Sequence, residues 1–316
     1  MGVRAVISRL RKPGHLAVQG ALVLTLLVAA ASPAFAAKPA NPGHGGGGGT
    51  SSTTGNDISW PQCGGSYPSG QAFGIVGVND GVPDFPNPCL QSELTWALSS
   101  PGVTTKNWAS GLKASLYVNT ADPGNTVNGT VINDWPTSGG GGGYGPCTTT
   151  TSGIGQDSTG CAWQYGYNMA TADVQDVTTA ITKDATVPSG YSSPADYPWW
   201  LDVETGNTWQ SGTVSPGISG QAMNVADLAG MVAGLQAASG DSSLPIGVYS
   251  TSSQWTTITG GSSTYGSALP TMPDWIPGAR SSSGAQTNCT AQSAFTGGAV
   301  ALTQWFGHPY DGDVAC

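Results

Sequence analysis

Two carboxylates lie two residues apart in the apolar segment WWLDVE at positions 199–204, in a chain of which only 9% of residues are charged. In a β-strand, residues i and i+2 point to the same face, so Asp202 and Glu204 share a face with Cα atoms roughly 6.5–7 Å apart. Leu201 and Val203 take the other face, which suits packing against helices. We therefore expect both acids to point inward at the carboxyl end of this strand.

Two further acids occur in the first and the last predicted strands, Asp57 and Asp313. If the strands close into a barrel, these two strands are neighbours, and the strand that carries Asp202 and Glu204 faces them across the mouth. Crowded acids raise the pKa of at least one member, which can then protonate a leaving oxygen while an ionised partner stabilises positive charge. Glycoside hydrolysis requires this division of labour. The alternative explanations of a D-x-E pair are a row of polar side chains on an exposed strand face and a pair of calcium ligands.

The elements that must position these acids are eight short apolar segments that predict β-strands. They cover residues 56–60, 73–79, 114–120, 199–204, 246–251, 274–279, 300–305 and 312–315. Helical patterns separate the earlier strands, one opened by Asn87 as N-cap and two at about 162–184 and 221–239. Alternation of strands and helices predicts parallel pairing. We expect an α/β fold, a TIM-like (β/α)8-type barrel whose second half is irregular, and a doubly wound open sheet is the competing fold.

The amino terminus has the pattern of an export signal. A basic start, an apolar run and the small residues of SPAFAA predict a signal peptide at 1–36. A Gly/Pro/Ser-rich linker follows at 37–55, and the barrel domain is expected at 56–316. After residue 36, five Lys and Arg face 18 Asp and Glu, a net charge of −13. This balance argues against nucleic-acid and anionic-membrane partners. We expect a secreted monomer.

The six cysteines indicate disulfides, because an even number in an exported chain favours pairing. Fifteen connectivities are possible, and we prefer the sequential one, which clamps three loop-rich regions and the carboxyl terminus. The chain has no C-x-x-C motif, so we predict no metal site and no cofactor. The preferred pairs are Cys63–Cys89, Cys147–Cys161 and Cys289–Cys316.

The order of these motifs resembles glycoside hydrolase family 25, the lysozymes that cleave after N-acetylmuramic acid. Four features carry the resemblance. They are Asp57, Ser59 and Gln62 in DISWPQ; Asp202 and Glu204 in D-x-E; IGVYST before Trp255; and TQW at 303–305 followed by Asp313. The resemblance spans about residues 56–316.

The resemblance implies a role for each acid. Glu204 corresponds to the general acid, and Asp202 to the carboxylate that supports the acetamido group of the substrate or the developing cation. Asp57 and Asp313 would position the sugar and tune the pair. It also implies a peptidoglycan glycan strand as substrate and retention of configuration. The alternatives are a catalytically inactive barrel that binds cell-wall polysaccharide and a hydrolase of another extracellular glycan.

Aromatic residues near strand ends are candidates for sugar binding. Trp209 follows Glu204 in the same loop and is the best stacking platform. Tyr117 and Tyr249 could hydrogen-bond an acetamido group, and Trp305 ends the seventh strand. Ordinary packing is the alternative for each of them.

Overall fold

Eight strands close into one barrel in the computed structural model, as the sequence predicts. They follow one another around it in the order β1-β8-β7-β6-β5-β4-β3-β2. The closure makes β1 and β8 neighbours and places β4 on the opposite wall. The strands are β1 (Thr54–Ile58), β2 (Gly74–Gly77), β3 (Ala114–Asn119), β4 (Trp199–Asp202), β5 (Ile246–Tyr249), β6 (Asp274–Ala279), β7 (Val300–Trp305) and β8 (Gly312–Ala315).

The structure describes residues 53–83, 85–109, 111–123, 126–127, 130–131, 135–136, 138–148, 158–215, 217–265 and 269–316. The predicted signal peptide and nearly all of the predicted linker lie outside these residues. Strand β1 begins at Thr54, two residues before the predicted start, because Thr54 pairs with Val314 of β8.

The last strand departs from the all-parallel arrangement that alternation predicts. Strands β1 to β7 pair in parallel, whereas β8 is antiparallel to both β7 and β1. Only residues 306–311 connect β7 to β8. A parallel crossover needs a dozen or more residues, so a connection this short returns the chain in the opposite direction.

Helices cover the outside of the barrel in its first half and become short in the second, as the sequence predicts. The second carries one apolar face, whereas the third is buried on most of its sides. None of the helices in the described part of the chain is long and apolar enough to span a bilayer. The helices are α1 (Leu90–Leu98), α2 (Thr159–Lys183), α3 (Gly220–Ser239), α4 (Ser252–Thr259), α5 (Ser262–Tyr265) and α6 (Ser282–Asn288).

The predicted N-cap of α1 is wrong by two residues. Cys89, not Asn87, is the N-cap residue, and Cys89 is fixed by its disulfide to Cys63. Asn87 stays close to the start of the helix, since its Oδ1 accepts a hydrogen bond from the Cys89 N–H at 2.9 Å. Its side-chain NH2 group donates to the Gly77 carbonyl at 2.8 Å and so ties α1 to the end of β2.

Strand parity divides the core into an outer and an inner layer. Trp199, Leu201 and Val203 face the helices and belong to the large outer cluster. Trp200 and Trp275 lie inside the barrel in a separate cluster, with ring centroids 5.8 Å apart. Aromatic rings therefore fill the barrel beneath the carboxyl ends of the strands.

Three disulfides join cysteines that are consecutive along the chain, which is the pairing that the sequence favoured. Cys63–Cys89 fixes the start of α1, and Cys289–Cys316 links the end of α6 to the residue after β8. The third, Cys147–Cys161, anchors the Gly-rich insert to the first turn of α2. The cross-links therefore hold the loop-rich parts of the fold that carry little core.

Candidate active site

Asp202 and Glu204 lie where β4 ends, on the parity that faces into the barrel. Asp202 is the last residue of β4 and pairs in register with Asn119 of β3 and Tyr249 of β5. Glu204 follows two residues later and is half-buried, whereas only 7% of Asp202 is exposed. Val203 between them packs against the outer core, so the alternation predicted for WWLDVE is present.

Asp57 and Asp313 meet on the opposite wall, across the β1–β8 junction. Asp313 is fully buried and its Oδ1 accepts a hydrogen bond from the Trp275 indole N–H at 2.9 Å. Burial raises the pKa of Asp313 well above its usual range, and the neighbouring Asp57 charge raises it further. Burial also raises the pKa of Asp57 to about 6, although hydrogen bonds from Gln304 and Asp313 oppose the shift. Asp313 therefore keeps the proton of the pair and donates a hydrogen bond to Asp57.

Tyr249 connects the two walls of the mouth. Its hydroxyl donates to the Gln304 Oε1 at 2.8 Å, and the Gln304 NH2 group donates to the Asp57 Oδ2 at 3.0 Å. Burial raises the pKa of the Tyr249 phenol, and the charges of all four predicted acids raise it further. One phenol is thus within electrostatic reach of Asp57, Asp202, Glu204 and Asp313.

Crowding keeps some of these acids protonated. Burial raises the pKa of Asp202 well above its usual range, and the nearby charges of Glu204 and Asp57 raise it further. Burial also raises the pKa of Glu204, while a hydrogen bond from Gln254 opposes that rise. In the free protein, the proton shared by Asp202 and Glu204 resides preferentially on Asp202, because Asp202 is the more deeply buried of the two.

Two neighbouring side chains hold the Glu204 loop. Gln254 of α4 hydrogen-bonds to the Glu204 carboxylate, and its Oε1 accepts from the Thr205 N–H at 2.8 Å. The Trp209 indole N–H donates to the Glu204 carbonyl at 2.8 Å. Helix α4 itself is fixed at its start, where the Thr251 hydroxyl accepts from the Gln254 N–H. Helix α4 therefore holds the Glu204 carboxyl group, and Trp209 holds the Glu204 backbone.

The predicted sugar-binding aromatics do not all lie at the mouth. Tyr117 and Tyr249 face inward, and their rings contact the ring of Trp275 at centroid distances of 6.2 and 4.5 Å. Trp209 is half-buried beside Glu204. Trp305 is the exception, since it packs in the outer cluster that contains the α6 residue Ala285. Trp305 has the opposite parity to Gln304, the inward-facing residue of β7, so it lies on the outer face of the strand.

Three residues that were not among the predicted site residues support the acids. Gln304, Trp275 and Gln254 each hydrogen-bond a predicted acid. Strand parity could have indicated Gln304 and Trp275, since each lies on the inward face of its strand. No sequence signal points to Gln254, because its role depends on where α4 docks. Among the described residues, no group of three or more His, Cys, Asp or Glu is arranged to hold a metal ion.

Comparison with solved structures finds a resemblance at the level of the fold. The fold of this chain is similar to that of the bacterial lysozyme from Streptomyces coelicolor, with 14% identity over 84% of this chain and 93% of that chain and a TM-score of 0.42. No family model matches the sequence, and no curated protein does. A similarity of this size says nothing about activity, so the four acids and their surroundings must carry any functional conclusion.

Proposed function

We propose that the protein is a secreted glycoside hydrolase that cleaves peptidoglycan glycan strands, with Glu204 as general acid and Asp202 as the stabilising carboxylate. The observation that carries the proposal is the unequal environment of two acids on one strand end. Asp202 is buried and its Oδ1 has no hydrogen-bond partner within the described residues. Glu204 is half-buried, and so a substrate can reach it.

Substrate binding would assign the shared proton to Glu204. A sugar acetamido N–H that donates to the Asp202 carboxylate favours the ionised form of Asp202, since hydrogen bonds to a carboxylate lower its pKa. A sugar ring that covers Glu204 removes water from it and raises its pKa. Both effects move the proton from Asp202 to Glu204, where a general acid needs it.

The reaction then follows from these two positions. Glu204 protonates the glycosidic oxygen as the bond between that oxygen and the anomeric carbon breaks. The acetamido carbonyl oxygen of the same sugar bonds to the anomeric carbon, and the Asp202 carboxylate stabilises the cation by accepting the acetamido N–H. Glu204, now ionised, takes a proton from water as the water attacks the anomeric carbon and the bond between that carbon and the acetamido oxygen breaks. Two displacements at one carbon retain its configuration, a substrate-assisted variant of glycoside hydrolysis.

The opposite wall limits the negative charge around the substrate. Asp313 keeps a proton, so the Asp57–Asp313 pair presents one carboxylate at most below the pKa of Asp313. The Tyr249–Gln304–Asp57 hydrogen bonds fix where that charge lies. Export fits the three disulfides, which persist in oxidising compartments.

The test is the isosteric substitution Glu204→Gln. The reducing ends released from soluble, peptide-free peptidoglycan glycan strands are measured for the wild type and the variant. General acid–base catalysis contributes roughly 10²–10⁴-fold, so we expect a loss of that order. Glu93→Gln is the matched control, because Glu93 is a buried acid on α1 outside the mouth. A wild type that binds the strands without releasing reducing ends would indicate a polysaccharide-binding barrel instead.

A further inference from the structure

A second cavity opens directly behind the Glu204 loop, between that loop and helices α3 and α4. Its volume of about 440 Å³ falls within the roughly 300–1,000 Å³ of small-molecule sites. Thr205, the residue directly after Glu204, lines this cavity. The cavity is lined by Thr205, Asn207, Trp209, Gln210, Ser211, Gly212, Gln221, Thr257 and Ile258.

The lining carries no charged side chain, although the protein is strongly acidic. Its polar groups are hydroxyls and carboxamides, and its largest side chain is the indole of Trp209. A neutral ligand needs no opposite charge in its site, and hydroxyls, carboxamides and an indole ring can hydrogen-bond and pack against it. The composition of the cavity therefore selects a neutral polar ligand.

The three carboxamides in the cavity are fixed before any ligand arrives. The side-chain NH2 group of Asn207 donates to the Thr120 carbonyl at 2.9 Å, and that of Gln221 donates to the Thr257 carbonyl at 3.2 Å. Gln210 is anchored in the same way, through a hydrogen bond to the Pro123 carbonyl at 2.5 Å. Each amide plane is thereby set before a ligand binds.

Buried contacts make the cavity wall rigid as well. The Asn224 side chain of α3 is fully buried and hydrogen-bonds both the N–H and the carbonyl of Gln210, at 2.9 and 3.0 Å. Trp209 packs against the outer core and donates to the Glu204 carbonyl. Preorganised groups lose little conformational entropy when a ligand binds, which favours affinity.

We propose that this cavity is a second carbohydrate subsite, which binds an N-acetylated sugar unit of the glycan beyond the residues held at the mouth. The proposal rests on the proposed function, because it assigns to the cavity a distal part of the same polysaccharide. Trp209 lines the cavity and contacts the Glu204 loop, so an occupied subsite would align the strand with the general acid.

The test fills the cavity without touching the acids. Thr257 and Thr256 are adjacent, exposed residues of α4, and each hydroxyl donates to the carbonyl four residues earlier, at 2.9 and 2.8 Å. Only Thr257 lines the cavity. Thr257→Leu therefore partly occupies it, and Thr256→Leu is the matched control. Both are made in the Glu204→Gln background, so binding is measured without hydrolysis.

Binding of peptide-free glycan strands of four and eight sugars is measured by titration calorimetry. We expect Thr257→Leu to weaken binding of the octasaccharide about tenfold, which is about 1.4 kcal/mol, and to leave the tetrasaccharide unchanged. Thr256→Leu should change neither. Equal octasaccharide affinities in the two variants, or no binding of either strand to the parent, would overturn the subsite.

Failure of the subsite differs from failure of the proposed function. If the wild type releases reducing ends but Thr257→Leu binds the octasaccharide normally, the hydrolase proposal stands and the subsite is wrong. If the wild type releases no reducing ends but Thr257→Leu still loses octasaccharide affinity, the subsite proposal is correct and the protein binds the glycan without hydrolysing it.

Discussion

Substituting Glu93 by Gln should make the stability of the protein less dependent on pH, with a magnitude set by one buried carboxyl. Glu93 lies on α1, is fully buried, and accepts a hydrogen bond from the Asn87 side chain at 2.7 Å through Oε2. Its Oε1 has no hydrogen-bond partner in the described part of the chain. Burial raises the pKa of Glu93 from 4.5 to about 7, against the opposing hydrogen bond from Asn87.

The sign of the effect follows from proton uptake on folding. Between pH 4.5 and 7 the unfolded chain has lost the Glu93 proton, while the folded chain keeps it. The free energy of unfolding therefore falls as pH rises through this window. The full shift corresponds to about 3.4 kcal/mol, and about 2–3 kcal/mol remains after allowance for solvent screening.

Gln at this position does not titrate and keeps an oxygen that accepts a hydrogen bond from Asn87. The variant therefore does not lose unfolding free energy as the pH rises. We expect Glu93→Gln to be about as stable as the wild type at pH 4.5, or weaker by about 1 kcal/mol because its amide N–H groups are buried. At pH 8 it should be more stable by about 2 kcal/mol. Denaturant unfolding at intervals from pH 4.5 to 8, with the disulfides intact, measures this difference.

Asp241→Asn is the control with the opposite sign. Hydrogen bonds from the Ser243 hydroxyl and N–H lower the pKa of the exposed Asp241, so its contribution to stability is present at neutral pH and lost as pH falls. This variant should lose stability at neutral pH more than at acidic pH. A stability difference between Glu93→Gln and wild type that stays constant across the range would refute the account of Glu93.

Three further outcomes are expected. Gln254→Ala should lower the rate of glycan cleavage and shift the basic limb of its pH profile upward, because the removed hydrogen bond lowers the pKa of the general acid; an unchanged profile would exclude a positioning role. Replacing Cys289 and Cys316 by Ser should cost about 2–5 kcal/mol in denaturant unfolding. Gly247→Ala should cost about 1–3 kcal/mol by overpacking, since its added methyl group would overlap the Trp200 ring inside the barrel; a melting temperature equal to that of the wild type would contradict this packing.

Local pattern was enough to predict the strands and their faces. Apolar runs bounded by turn residues marked all eight strands, and the alternation in WWLDVE assigned Leu201 to the helices and Asp202 to the interior. Period-2 alternation is a property of the strand itself, which explains why it can be read without knowing the neighbours. The same parity, applied to β7, would have placed Trp305 on the outer face beside Ala285.

Contacts between distant parts of the chain decided what the pattern missed. The start of β1 at Thr54 depends on pairing with Val314, which follows it by 260 residues. The role of Gln254 depends on where α4 docks against the Glu204 loop. Neither has a local signature, because each is set by a partner that the fold brings close and the sequence keeps far away.

The sequence by itself determined which acids exist, which strand ends carry them and which face they take, since these follow from residue type and strand period. Only the tertiary structure decided how they share protons. Closure of the barrel buries Asp202 and Asp313 more deeply than Glu204 and Asp57 and brings them within electrostatic reach of Tyr249. The pKa of a carboxyl depends on its desolvation and on the charges nearby, and both exist only once the eight strands have closed.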